Sequence, residues 1–168
     1  MKAALLAFVL TAAAWAQEPS FVNEGVVHAP LAEVWKIFST SEGYKATGVA
    51  LAEVDLRIGG TIRTRYSPNG KLGDEETIEN VILAYEPQRM LAIRIQKPPR
   101  GFPYKDAWKR TWTVITISDA GNGQTLVRAA SMGFGDDEES QAMARFFQRG
   151  NQQTIEVLQK YMQLKEAR

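Results

Sequence analysis

Cysteine is absent from the 168 residues, and histidine occurs once, as His28. The first absence excludes disulfides, thiolate nucleophiles, iron–sulfur clusters and cysteine-based zinc sites. The second excludes, within one chain, any site built on two imidazoles, such as the paired-histidine zinc motif of metalloproteases. A serine–histidine–acid triad would have to use His28, and no Gly-x-Ser-x-Gly elbow accompanies it. An excess of one charge is also missing, since 20 Lys and Arg face 19 Asp and Glu. No long-range field therefore calls for nucleic acid or an anionic membrane as partner. Glycine-rich phosphate loops, nucleotide fingerprints and inward carboxylate pairs at helical spacing do not occur. From these gaps no catalytic residue, metal ligand or cofactor is assigned.

Among what is present, the first sixteen residues stand apart. Met1-Lys2 gives a short positive start, residues 3–14 are almost all small or apolar, and Ala14-Trp15-Ala16 has the small-x-small form that signal peptidase accepts. The run is shorter than the about 20 residues a bilayer span requires. It reads as a signal peptide over residues 1–16, cleaved near Ala16, which predicts the periplasm or the exterior of a bacterial cell. Cleavage would remove Lys2 and leave no net charge. Residues 17–168 read as one domain, a length that allows a sizeable core.

Residues 21–28 suggest a strand, stopped by Ala29-Pro30. Proline suits a first helical turn, where its missing N–H would be unpaired anyway. A short helix over 31–39 follows, broken at Ser41-Glu42-Gly43, with a second helical turn near Tyr44. Six strands in sequential hairpins come next, over 49–56, 61–66, 75–85, 90–96, 108–117 and 124–134. Their turns are Gly59-Gly60, Ser67-Pro68-Asn69-Gly70, Glu86-Pro87-Gln88-Arg89, a proline-rich loop over 97–107, and residues 119–123. Alternation such as Leu91, Ile93, Ile95 against Ala92, Arg94, Gln96 marks sheet with one buried face.

The last segment, 138–165, organises the rest. Met143, Phe146, Phe147, Gly150, Thr154, Val157, Leu158, Tyr161 and Leu164 recur at three- and four-residue steps, which predicts one helix roughly 40 Å long. A curled antiparallel meander needs its concave face covered, and this helix is the element that can cover it.

Three local signatures lie in this order. His28-Ala29-Pro30 leads into Val34-Trp35, Ile58-Gly59-Gly60 closes residues 54–60, and Glu86-Pro87-Gln88-Arg89-Met90-Leu91 turns a hairpin. Together they resemble the helix-grip, or START-like, superfamily, also called SRPBCC, over essentially the whole mature chain. The nearest branch is the one named after the activator of the heat-shock ATPase chaperone. The resemblance implies an α+β fold: a curved antiparallel sheet of about seven strands around a long C-terminal helix, with two short helices after the first strand. It also implies a deep helix–sheet cavity for apolar or amphipathic small molecules. Members include carriers, polyketide cyclases and co-chaperone domains, and fold alone does not choose among them. An exported chain would not meet a cytosolic chaperone.

Candidate lining or mouth residues follow from this picture. Trp112, Met132, Phe134, Met143 and Phe147 are expected to point into the helix–sheet space, together with Phe38, Tyr66 and Thr154. Gly150 would leave room there or let a strand approach. Phe102, Tyr104 and Trp108 would sit at the mouth, amid Lys97, Arg100, Lys105, Lys109 and Arg110, which could attract an anionic head. Asp136, Asp137, Glu138 and Glu139 read as a helix start complementing the dipole rather than a cation site. The leading function is an exported binding protein for an apolar or amphipathic small molecule. A cyclase- or aromatase-type enzyme in the same cavity is the alternative, and would show a buried ionisable group with a shifted pKa. An interaction protein is the third, and would show a large exposed apolar patch. Ligand identity and oligomeric state are not legible in the sequence.

Overall fold

The computed structural model describes residues 18–166. The expected signal peptide and its cleavage position lie outside the described residues. Strand β1 (Phe21–Val27) is followed by helices α1 (Leu31–Ser39) and α2 (Ser41–Tyr44) and a single tight turn of helix, Lys45–Thr47. Strands β2 (Leu51–Val54), β3 (Thr61–Arg65), β4 (Ile78–Glu86) and β5 (Met90–Lys97) come next. A second tight helical turn, Ala107–Arg110, leads to β6 (Trp112–Gly121), β7 (Gln124–Met132) and the 29-residue helix α3 (Glu138–Glu166). The strands form one curled antiparallel sheet in the order β1-β7-β6-β5-β4-β3-β2. Six strands are hairpin neighbours, and β1 joins from the far end of the sequence by pairing with β7.

Several strands are shorter than alternation predicts, each for a local reason. Residues 107–110 wind into a helical turn, so β6 starts at Trp112 and not at Trp108. Before β4, the Asp74 carboxylate accepts from Glu76 N at 3.1 Å and Thr77 Oγ1 at 3.2 Å, a local turn that keeps the chain out of the sheet until Ile78. Turn chemistry outcompetes the ladder in both places.

The core occupies the concave side. Val27, Ile62, Ile82, Leu91, Ile117 and Val127 from the sheet meet Val34, Ile37 and Phe38 of α1 and Leu158 and Met162 of α3. Phe38, expected to line a pocket, is instead part of this packed cluster and is 4 % exposed.

The face that α3 turns inward also differs from the expected stripe. Ser140, Met143, Ile155, Leu158 and Met162 are buried, whereas Phe146, Tyr161 and Leu164 are exposed large apolar residues. Gly150 is exposed, with open space where a side chain would stand. The buried line is rotated because polar residues occupy part of it. The close approach assigned to Gly150 is made by Gly25 of β1. A Cβ there would lie 2.6 Å from Ile155 Cγ2 and 3.1 Å from Gln159 Nε2. Beside it, Gln159 Nε2 donates to the Val26 carbonyl at 2.9 Å. The helix thus rests directly on the edge strand, through a residue with no side chain.

Candidate binding site

Loop 98–111 crosses to the first half of α3 and is fastened there at three points. Tyr104 donates its hydroxyl to the Ala142 carbonyl at 3.3 Å, Asp106 N donates to Glu139 Oε1 at 3.2 Å, and Arg110 pairs with Asp137 and also reaches Ser140 Oγ. Asp137 caps the helix as well, accepting from Ser140 N at 2.9 Å. The Ser140 backbone and hydroxyl bonds, with Arg110 beside them, hold the Asp137 carboxyl below its ordinary range. The acidic start of α3 thus does the capping work expected of it.

This fastening gathers aromatic rings into a continuous cluster. Phe102 lies 5.3 Å from Tyr104, 6.1 Å from Phe146 and 6.2 Å from Phe147, by ring centroids. Phe147 lies 6.3 Å from Phe134, which lies 5.2 Å from Phe21. Tilted and edge-on rings at these spacings attract beyond simple area burial. The cluster joins a loop, a helix, the start of β1 and the end of β7. Phe146 is 43 % exposed, so the cluster reaches solvent. One turn on, Gly150 leaves a gap in the flank of α3, and two turns further Val157 closes against Gly48.

Four of the expected residues, Phe102, Tyr104, Phe134 and Phe147, are therefore brought together. Phe21 and Phe146 complete the cluster and were not among the candidates. Met143 is fully buried on the sheet side of α3. The others stand elsewhere. Trp112 and Met132 are opposite each other in register, on the outer face of the sheet. The inner face is fixed by Ser131, whose hydroxyl accepts from Asn151 of α3 at 3.2 Å and bonds Thr113 at 3.1 Å. Neighbours along a strand point oppositely, so residues 112 and 132 cannot share that side. Tyr66 is 67 % exposed, one residue past the end of β3 where alternation no longer applies. Thr154 turns its hydroxyl back to the Gly150 carbonyl at 2.9 Å. Trp108 donates to Lys105 O within its own turn at 3.2 Å, with Lys109 Nζ 5.9 Å from the ring centre.

With the helix-gripping sheet in view, comparison with known proteins is direct. The family described as "Activator of Hsp90 ATPase homolog 1-like protein" matches residues 28–163. The chain belongs to this family. It is an AHSA1 member within the SRPBCC superfamily. Solved structures share the fold at low identity. An X-ray structure of a Mesorhizobium loti protein is 16 % identical with a TM-score of 0.64, covering 85 % of this chain and 96 % of its own. One from Nitrosomonas europaea is 19 % identical with a TM-score of 0.63, covering 88 % and 96 %. The solution structure of the Aha1 dimer from Colwellia psychrerythraea is 12 % identical with a TM-score of 0.61, covering 84 % and 93 %. No curated protein matches the sequence significantly.

In this AHSA1 chain the basic residues around the loop are engaged by acids. Arg100 meets Glu75 at 2.6 Å and Glu76 at 3.3 Å, Lys109 meets Asp106 at 2.6 Å, and Lys97 lies 3.9 Å from Glu79 and donates to the Asp74 carbonyl at 3.1 Å. With Arg110 on Asp137, four of the five cations expected to attract an anionic head are already paired. Two clefts, of about 320 and 190 Å³, open at the C-terminal half of α3. His28, Glu33, Gln124, Met162 and Lys165 line the first, and none of the expected lining residues borders either. His28 is exposed there, with Gln124 Nε2 3.5 Å from its Nδ1. Tyr44 is packed against the core. Burial, with Tyr66 nearby, pushes its phenol up to about 12. A phenol so placed stays protonated at neutral pH, able to donate a hydrogen bond but not to accept a proton as a base.

Proposed function

We propose that this protein is an exported binding protein that takes an apolar or amphipathic small molecule between α3 and the sheet, at the aromatic cluster. The observation that carries the reading is the run of six contiguous rings, Phe102, Tyr104, Phe146, Phe147, Phe134 and Phe21, reaching solvent beside the open flank at Gly150. Rings of this kind offer large apolar area and adapt by rotating. The contribution of α3 to the aliphatic core comes from Leu158 and Met162, at its C-terminal end. Uptake requires the rings to part, because the C-terminal half of the interior is filled. The signal-like residues 1–16 support export, and the family's fold supports small-molecule binding.

Native mass spectrometry of protein recovered from its own compartment tests the reading, together with titration by the neutral fluorophore Nile red. The expected results are a chain beginning at Gln17, a co-purifying or bindable apolar molecule, and weakened Nile red binding in Phe147→Ala. Neither co-purifying ligand nor probe binding would refute the ligand reading, and an uncleaved intracellular chain would refute export.

A further inference from the structure

Next to the aromatic cluster lies a set of uncharged polar side chains at the helix–sheet interface. Asn23 of β1 donates from Nδ2 to Gln152 Oε1 at 3.3 Å. One residue earlier on α3, Asn151 reaches Ser131, which in turn meets Thr113. Asn23 is 7 % exposed and Ser131 1 %. Phe21 precedes Asn23 by two positions on the same strand face, and Phe147 precedes Asn151 by one helical turn, so rings and amides adjoin. A hydrophobic surface therefore ends at a polar one, against the edge strand β1.

The polar set is incomplete. Asn23 Oδ1 is buried and has no hydrogen-bond partner. Buried carbonyl oxygens are nearly always paired, because leaving one unpaired forfeits its hydration. We propose that Asn23 Oδ1 receives the polar head of the bound molecule, and that this head is a neutral hydrogen-bond donor, a hydroxyl on an otherwise apolar body. The proposal rests on the ligand-binding reading above and adds the chemical class.

Three features select the hydroxyl. An acceptor must be met by a donor, which an ester, an ionised carboxylate or a fully ionised phosphate does not have. Asn23, Gln152, Asn151, Ser131 and Thr113 carry no charge, so a buried anion would sit there uncompensated at high cost. Arg100, Lys109 and Arg110 of the adjoining loop, which could have followed an anion inward, are held by Glu75, Glu76, Asp106 and Asp137.

The experiment is a competition of decanol, methyl decanoate and ionised decanoate against bound Nile red, at mildly alkaline pH. The apolar tails match, and only the heads differ. The expected result is decanol binding about tenfold more tightly than the methyl ester, the scale of one buried acceptor left unmet, with decanoate weakest. In Asn23→Leu the advantage of decanol over the ester should vanish while the ester is held as before. If decanol and the ester compete equally in the unsubstituted protein, Asn23 is satisfied in some other way, such as by a water molecule, and the head-group assignment is overturned while the binding reading survives. If decanoate competes best, the assignment is overturned in favour of an anionic ligand. If Nile red itself does not bind, the reading beneath it fails, and the assignment with it.

Discussion

Gly25→Ala is the substitution that most directly probes how α3 is seated. The added Cβ would stand 2.6 Å from Ile155 Cγ2 and 3.1 Å from Gln159 Nε2. The backbone there is not in a left-handed conformation, so space alone is at issue. Overpacking of this kind costs about 1–3 kcal/mol. Replacing glycine within a strand returns about 0.5–1 kcal/mol by restricting the unfolded chain. The net expectation is a loss of about 1–2 kcal/mol, or about 3–6 °C in Tm for a domain of this size. Urea unfolding followed by tryptophan fluorescence measures it. The decisive comparison is a double-mutant cycle with Ile155→Ala, which removes the offending methyl. That change alone costs about 2–5 kcal/mol because Ile155 is buried. In its presence Gly25→Ala should become neutral or slightly stabilising, a coupling of about 1–2 kcal/mol. Equal cost of Gly25→Ala in both backgrounds would show that α3 does not press on β1 at this point.

The remaining expectations concern the ends of α3, the buried phenol and the ring cluster. Glu33 and Lys165 pair at 2.7 Å, and the bond to Lys165 holds the Glu33 carboxyl below its usual range while the bond to Glu33 raises Lys165. The stability Glu33 adds is present above its unfolded pKa and lost as pH falls through its lower folded value. Lys165 adds stability below its own unfolded pKa and loses it as pH rises through its raised folded value. An NMR titration should therefore find the Glu33 midpoint moving up in Lys165→Ala, and the Tm difference between the two proteins should shrink in acid and in salt. Asp137→Ala removes the cap and the Arg110 partner together, and should lower Tm by several degrees and free the aromatic loop, seen as faster amide exchange over 102–106. Tyr44 should ionise near 12 in an absorbance titration, the step disappearing in Tyr44→Phe. Because the unfolded phenol ionises near 10.0, the Tyr44 contribution declines as pH rises from there. Phe102→Ala should weaken Nile red binding and also lower Tm by a few degrees, since its ring pairs with Tyr104, Phe146 and Phe147.

The order of elements was readable because it rests on periodicity. The 138–165 pattern gave the long helix almost to the residue, Ala29-Pro30 gave the start of α1, and the glycine- and proline-rich turns separated the strands. Facing was harder. In α3 the apolar count favours Phe146, Tyr161 and Leu164, yet Ser140 and Ile155 are the buried ones, and half-buried Asn151 bonds the sheet, because Ser140 meets Asp137 and Arg110, Ile155 packs on Gly25, and Asn151 finds Ser131. A polar residue satisfied across an interface looks like a surface residue until its partner is known. Trp112 and Met132 failed for the same reason: their facing depends on which side of β6 and β7 meets the helix, and a single-residue change of register reverses it. Phe21 joins the ring cluster only because β1 pairs with β7, a closure between distant segments that no local pattern records. Asn23 left a fainter trace, as a lone amide in a strand otherwise rich in valine, a position where apolar pairing is the rule and an exception asks for a reason.

The pairing of β1 with β7 also sets a timetable. Asn23 meets its helix partner Gln152 across 129 positions of chain, and the edge strand finds its ladder only when Gln124–Met132 is available. Contacts so distant in sequence must wait for the large loop between them to close, which slows folding relative to the sequential hairpins. A chain released from its N-terminus onward therefore carries a valine-rich segment, Phe21–Val27, that stays without a neighbour until nearly everything after it has emerged. Deleting the final hairpin would strand that segment permanently, leaving an unsatisfied strand free to recruit another chain.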